Sequence, residues 1–115
     1  MFRGLENWNI EALTGYKPIS TFYTDFSIAE VFGGSTSKAK LAAIKDTYNR
    51  AFNEWKKDYK MLTEFVMVLN WKCNRWYEDN EEFANLYYDL YEEASQYAEN
   101  NLKGDELSYY FRTTD

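Results

Sequence analysis

The most constraining feature of this sequence is a long stretch that lacks both glycine and proline. The stretch runs from residue 35 to residue 103, between Gly34 and Gly104. No position in it has a strong local reason to leave a helix, because glycine and proline are the residues that most disfavour helix interiors. Within it, every seventh position from 41 to 76 is apolar: Leu41, Tyr48, Trp55, Leu62, Leu69 and Trp76. We therefore predict a mainly α protein, a small bundle of helices packed on an aromatic core.

The 115 residues are predicted to form one domain with two or three long helices and a short N-terminal helix. Its segments are an N-terminal cover (1–34), a basic helical segment (35–77), an acidic helix (79–103) and a docked tail (104–115). Within the cover, residues 19–26 have the β-branched and aromatic mix of a strand, so we expect an irregular or short extended segment before the short helix. The apolar residues of this region are expected to lie over the helical core: Trp8, Ile10, Leu13, Phe22 and Phe26.

Local signals place the short helix of the cover. Ser27 and Glu30 have the spacing of a capping box, in which a serine and a glutamate satisfy each other's backbone amides at a helix start. Gly33 and Gly34 can adopt the positive φ that ends a helix. Residues 35–37 then offer a hydroxyl N-cap for the next one.

The basic segment can be read as one helix or as two. A single helix over residues 38–77 would be about 60 Å long, whereas a compact domain of this size has a radius of gyration near ~13 Å. A bend or reversal near residues 56–58 resolves this mismatch. However, Trp55 and Tyr59 keep the apolar rhythm in phase across these residues, which favours a continuous, protruding helix. The sequence leaves both alternatives open.

Charge is distributed unevenly along the chain. The net charge is −6, but residues 1–77 carry 11 basic and 8 acidic side chains, and residues 78–115 carry 2 and 11. One interpretation is that the basic and acidic segments pack together through complementary edges. The other is that part of the acidic surface faces outward and meets a basic partner.

Several functional classes lack their required residues. The sequence has no histidine and one cysteine, Cys73, so it has no Ser-His or Cys-His pair, no usual metal site and no disulfide. The glycines match no phosphate- or dinucleotide-binding loop, and no cofactor is predicted. The start of the sequence lacks the apolar run of a secretory signal, and no apolar run is long enough to span a membrane. We expect a soluble, cytoplasmic protein that is not an enzyme, since an enzyme would depend on carboxylates such as Glu78 and Glu81 alone.

The acidic helix carries the main functional hypothesis. We predict that Asp79 caps it, with Glu82 at position N3, and that Gly104 ends it. If its apolar residues face inward, its acids fall mainly on the opposite side, and these are the candidate partner-binding residues: Glu82, Asp89, Glu92, Glu93 and Glu99. Asp89 and Glu93 lie about 6 Å apart along the axis, similar to neighbouring phosphates on a nucleic-acid strand. The alternative is an ordinary solvated helix face.

Four segments of the chain resemble a group of small proteins, with no assigned activity, that recur in conjugative and integrative elements and in some phages of gut bacteria. The segments are 22–30 (FYTDFSIAE), 46–56 (DTYNRAFNEWK), 67–72 (MVLNWK) and the ending from Asn101 to Asp115. The resemblance begins near residue 19 and carries over no functional residues. It implies a mobile-element context, in which small non-catalytic proteins often act against host defence, including restriction and CRISPR systems.

These observations together predict a non-catalytic protein that binds a protein partner. The expected partner is a host or defence-system protein with a basic surface, and the acidic face would mimic nucleic acid as in an anti-CRISPR or antirestriction inhibitor. Direct binding of nucleic acid is disfavoured, because the aromatic residues near the lysines of the basic segment fall on the core stripe. The alternative is a structural homo-oligomer, in which the wide apolar surface of residues 61–71 pairs two copies of the chain.

Overall fold

The structure, a computed structural model, describes residues 19–114, which form five helices and no strand. The helices are α1 (Ile19–Phe32), α2 (Ser37–Trp55), α3 (Tyr59–Trp76), α4 (Glu81–Asn101) and α5 (Asp105–Thr114). The prediction of a mainly α protein is confirmed. The expected cover residues Trp8, Ile10 and Leu13 lie outside the described residues. Within the described range, no helix combines the length and apolar character needed to cross a bilayer.

The basic segment forms two helices. The chain turns between them near residues 56–58, where the sequence analysis gave a bend or reversal as one of two alternatives. α2 ends at Trp55, and Asp58 caps α3 by accepting hydrogen bonds from the backbone N–H groups of Lys60 and Met61, both at 3.1 Å. The apolar rhythm stays in phase across Trp55 and Tyr59 because both helices turn their apolar faces toward the same interior. This agreement wrongly favoured one continuous helix. Matching phase therefore does not require one continuous helix.

The predicted extended segment at 19–26 is wrong, and so is the capping box. α1 is one helix that already begins at Ile19, because Phe22, Phe26 and Ala29 recur at helical spacing and are buried on one face. Ser27 therefore lies inside the helix, where its hydroxyl donates to the backbone oxygen of Tyr23 at 3.0 Å. Glu30 reaches into the core rather than back to the Ser27 amide.

The acidic helix begins two residues later than predicted and has a different cap. Asn80, not Asp79, accepts a hydrogen bond from the backbone N–H of Phe83 at 3.1 Å. Asp79 instead pairs with Arg75 on the preceding turn, with 2.9 Å between Oδ2 and Nη1. Gly104 does not end the helix as predicted. The helix ends at Asn101 and is capped by Leu102 in an extended conformation, whereas Gly104, with a φ of +60°, accepts the first backbone hydrogen bond of α5 from Ser108.

Glycine also permits the close approach of α1 and α2. A Cβ on Gly33 would lie 2.5 Å from the Cβ of Ala43 on α2, closer than two carbon atoms can pack. Gly34 follows with a φ of +155°, which side chains rarely allow. The first helix ends at Phe32, next to the predicted glycines, although only Gly34 of the two has a positive φ. Thr36 from the predicted capping region accepts the first hydrogen bond of α2 from Ala39 at 3.1 Å.

α3 is the central helix, because its wide apolar surface needs cover on more than one side. It packs against each of the other four helices, and most extensively against α4. Its fully buried apolar residues are Met61, Leu62, Phe65, Val66, Val68 and Leu69. At the centre, the Phe65 ring lies 5.3 Å from Phe22, 6.0 Å from Phe26 and 5.4 Å from Tyr48, measured between ring centroids. One side chain of α3 thus joins α1 and α2 to the core.

We expect replacement of the central ring to destabilise the whole protein. Phe65→Ala should lower the free energy of unfolding by about 3–5 kcal/mol, because it removes a buried ring and leaves a cavity. Phe32→Ala is the matched control, since Phe32 is 79% exposed and its loss should cost less than about 0.5 kcal/mol. Chemical denaturation of both variants measures the difference. Equal losses in the two variants would contradict the central position of Phe65.

Candidate functional interface on α4

α4 separates apolar from acidic side chains because of its helical repeat. Its buried face comprises Phe83, Ala84, Tyr87, Leu90, Ala94 and Ala98, together with Ser95. The five candidate partner-binding acids all lie in solvent: Glu82, Asp89, Glu92, Glu93 and Glu99. The buried face is held mainly by α3, so the acidic side of the helix is presented on a rigid support.

The five acids are not equivalent. Glu93 lies beside the buried Tyr48 hydroxyl, and burial together with this carboxylate raises the pKa of Tyr48. Glu99 acts similarly on Tyr110, whose pKa is raised first by burial and then by nearby negative charge. These two acids therefore lie at the edges of the exposed face, close to the core.

The remaining acids, Glu82, Asp89 and Glu92, are exposed and have no ionic partner within residues 19–114. Among the described residues, the ion pairs are Arg50–Asp46, Lys72–Glu30 and Arg75–Asp79. None of these pairs joins α2 to α4, and the one pair between the basic segment and the predicted acidic helix, Arg75–Asp79, lies before the start of α4. Glu82, Asp89 and Glu92 remain available to a partner. The exposed Tyr88 accompanies them on the same side of the helix.

A buried polar cluster that the sequence analysis missed lies where α1, α3 and α4 meet. Lys72 is only 2% exposed, and its Nζ lies 3.1 Å from Oε1 of Glu30 and 2.7 Å from the Ser27 hydroxyl. The second carboxylate oxygen of Glu30 accepts hydrogen bonds from Trp76 Nε1, at 3.0 Å, and from the Tyr87 hydroxyl. The cluster therefore ties α1, α3 and α4 together.

Burial shifts the protonation equilibria of the cluster. It lowers the pKa of Lys72, and the neighbouring Glu30 carboxylate opposes this shift only in part. It raises the pKa of Tyr87, and the hydrogen bond to Glu30 raises it further. The Lys72 ammonium also lies 4.0 Å from the centre of the Tyr23 ring, a favourable cation–π contact. Each polar group thus replaces its lost hydration with protein contacts.

The contact between Ser27 and Lys72 has the composition of a serine–lysine catalytic pair, but its surroundings do not suit one. A lysine that activates a serine must be neutral and must face a substrate. Lys72 pairs with Glu30, and neither Ser27 nor Lys72 lines the cavity between α1 and α2 or the one where α3, α4 and α5 meet. The arrangement is that of a packing determinant.

One sequence signal could have revealed this cluster. Glu30 follows Phe22 and Phe26 at helical spacing, and Lys72 lies between Leu69 and Trp76 on the apolar stripe of α3. A charged residue on an apolar stripe is typical of a buried ion pair, because an unpaired charge there would be costly. The apolar patterns of the two helices thus mark Glu30 and Lys72 as buried charges, but they do not show that these two residues pair with each other.

Other candidate reactive groups are isolated or open to solvent. Among residues 19–114, no three His, Cys, Asp or Glu side chains are grouped so that they could hold a metal ion. Cys73 is half-buried, and burial raises the pKa of its thiol, which reduces its reactivity. Glu78 and Glu81 lie in open solvent rather than in a cleft.

Comparisons with protein-family models, with curated proteins and with solved structures give no match to this chain. Its own geometry defines its class. The described residues form a mainly helical bundle with an aromatic core, a buried ion-pair cluster and an exposed acidic helix face. Functional inference therefore depends on the surface of this bundle.

We expect the buried pair to be far more sensitive to substitution than a surface pair in the same helix. Lys72→Met should lower the free energy of unfolding by about 3–5 kcal/mol, because Glu30 is left buried without its cation. The matched control is Arg75→Met, which breaks the exposed pair with Asp79 and should cost less than about 1 kcal/mol. Denaturant titrations measure both values.

A second substitution tests the cause of that loss. Adding Glu30→Gln to Lys72→Met removes the unpaired charge, so the double variant should regain part of the lost stability. If the loss of unfolding free energy in the double variant equals the sum of the losses in the two single variants, the ion pair does not account for the effect.

Proposed function

We propose that this protein is not an enzyme and that it acts by binding a protein partner through the outward face of α4. The partner we propose is a nucleic-acid-handling protein of a host defence system, such as a CRISPR or restriction complex, and the bound protein inhibits it. The observation that supports the proposal is that Glu82, Asp89 and Glu92 are exposed and have no ionic partner among the described residues. They lie on a helix whose opposite face is buried. The resemblance to proteins of mobile elements supports the choice of partner.

The electrostatics of α4 suit a basic groove that normally holds nucleic acid. Asp89 and Glu92 lie one turn apart on the exposed face, so their carboxylates form part of a regular row of negative charge. Such a row can occupy the lysines and arginines that would contact phosphates. Because α4 is held by its buried face, little ordering is needed when the partner binds.

The same features disfavour nucleic acid as the ligand. Long-range repulsion opposes phosphates, because residues 78–115 hold 11 acidic and only 2 basic side chains. The rings near the basic helix are also occupied, since Tyr48 and Phe52 stack on each other with 5.4 Å between centroids. Lys56 lies over the rings of Phe52 and Tyr97 rather than projecting freely.

Charge reversal on α4 tests the proposal. In cells that carry one defined CRISPR or restriction system, we expect the wild-type protein to raise phage plating or plasmid transformation. Asp89→Lys with Glu92→Lys should remove this effect, because two carboxylates become repulsive to the basic groove. The control is Asp46→Lys with Glu54→Lys, the same change in net charge on the exposed side of α2. Circular dichroism confirms that all variants fold.

Two outcomes would contradict this assignment. If the α4 variant keeps full inhibition, the outward face of α4 is not the binding surface. If both variants lose inhibition equally, total charge rather than the position of the charge is responsible. A panel of several systems is needed, because inhibition is expected against one of them and not against all.

Homo-oligomerisation is the second candidate function, but through a different surface from the one predicted. Most of the surface of residues 61–71 is covered by the chain's own helices, so it does not pair two copies as predicted. A specific observation on α1 still favours self-association: Ile28, Val31 and Phe32 are 52%, 61% and 79% exposed beside a cavity of about 420 Å³ between α1 and α2. Contiguous apolar exposure of this kind often marks an interface.

Light scattering tests this second candidate. Self-association would give twice the chain mass at high micromolar concentration, and Phe32→Ser should restore the single-chain mass by removing the most exposed ring. Phe111→Ser is the matched control on another exposed ring. A wild-type protein that stays monomeric at that concentration rules this candidate out.

A further inference from the structure

A second cavity lies where α3, α4 and α5 meet. Its volume is about 250 Å³, and its lining residues are Val66, Met67, Asn70, Trp71, Tyr91, Thr113 and Thr114. None of the five candidate acids lines it. Tyr91 lies between Asp89 and Glu92 in the sequence, but the helical repeat turns it toward α3 and α5, so the cavity and the acids occupy different sides of α4.

The walls of this cavity include two aromatic side chains. Trp71 is 45% exposed, although it extends from the central helix of the bundle, and the half-buried Tyr91 lines the same cavity. Exposed tryptophan is costly to leave in water and is enriched at the centres of protein interfaces. An open aromatic surface of this kind also attracts cations, because the faces of the rings are electron-rich.

The third wall favours positive charge for a separate reason. Thr113 and Thr114 form the last turn of α5, where backbone carbonyls lack partners within the helix and carry partial negative charge. The Thr114 hydroxyl donates to the backbone oxygen of Tyr110 at 2.8 Å, which satisfies one of these carbonyls. Arg112 does not line the cavity, and its Nε donates back to the Ser108 oxygen of its own helix.

We propose that this cavity receives an arginine side chain of the basic protein partner. A guanidinium group is planar and can stack on Trp71 or Tyr91 while its N–H groups reach the carbonyl oxygens at the end of α5. A lysine ammonium has no flat face and keeps its hydration more strongly, so it fits the cavity less well. The inference rests on the proposed function, since the acids of α4 attract the partner and the cavity selects its anchoring residue.

The experiment compares two probes on purified protein: a labelled oligo-arginine peptide and an oligo-lysine peptide of the same length and charge. Wild-type protein should bind the arginine peptide about tenfold more tightly. Trp71→Ala should remove this preference while keeping the affinity for the lysine peptide. Trp71→Phe, which keeps an aromatic wall, should retain part of the preference. Tyr77→Ala is the control, because Tyr77 is exposed but lies outside the cavity.

The outcomes separate this inference from the proposed function. Asp89→Lys with Glu92→Lys should weaken both peptides alike, because those acids supply general attraction. Equal affinity of the wild type for both peptides, or an arginine preference that persists in Trp71→Ala, would overturn the arginine site and leave the acidic interface standing. Absence of binding to either peptide would overturn both.

Discussion

The structure depends on the burial of α3. Its apolar surface extends around most of the helix, so no single neighbour can cover it, and four helices pack against it. The aromatic contacts of Phe65 show how this requirement sets the positions of α1 and α2. Burial of one helix on several sides turns a chain of local helices into a bundle, because most helical stability in proteins comes from tertiary packing.

Apolar packing alone tolerates small displacements of one helix along another. The Lys72–Glu30 cluster does not tolerate such displacements. Its hydrogen bonds require α1, α3 and α4 to meet at one register, since a displacement would leave buried charges unsatisfied. A buried ion pair contributes little net stability against an apolar replacement. We therefore infer that its role is to specify one arrangement of the three helices, and with it the orientation of the acidic face on α4.

Local sequence signals predicted the helical class, because it follows from periodicity and from missing helix breakers, but they left open whether the acidic face points into solvent or packs on the basic segment. They did not predict α1, where burial of Phe22 and Phe26 outweighs the strand-like composition of residues 19–26. The pairing of Lys72 with Glu30 was also out of reach, since the two residues are 42 positions apart. Trp71 was assigned to the apolar stripe, and only the packing of α5 shows that it remains open to solvent.

The charge pattern of α4 is hard to explain by the stability of the helix alone. Acids in its first turn, Glu81 and Glu82, interact favourably with the positive end of the helix dipole. Glu99 lies near the opposite end, where negative charge is unfavourable, and the last turn has no basic residue to offset it. The outward acids also repel one another without a cation among the described residues. A helix selected only for stability would carry lysine or arginine at these positions, whereas a surface that binds a basic partner must keep its carboxylates unpaired until the partner arrives.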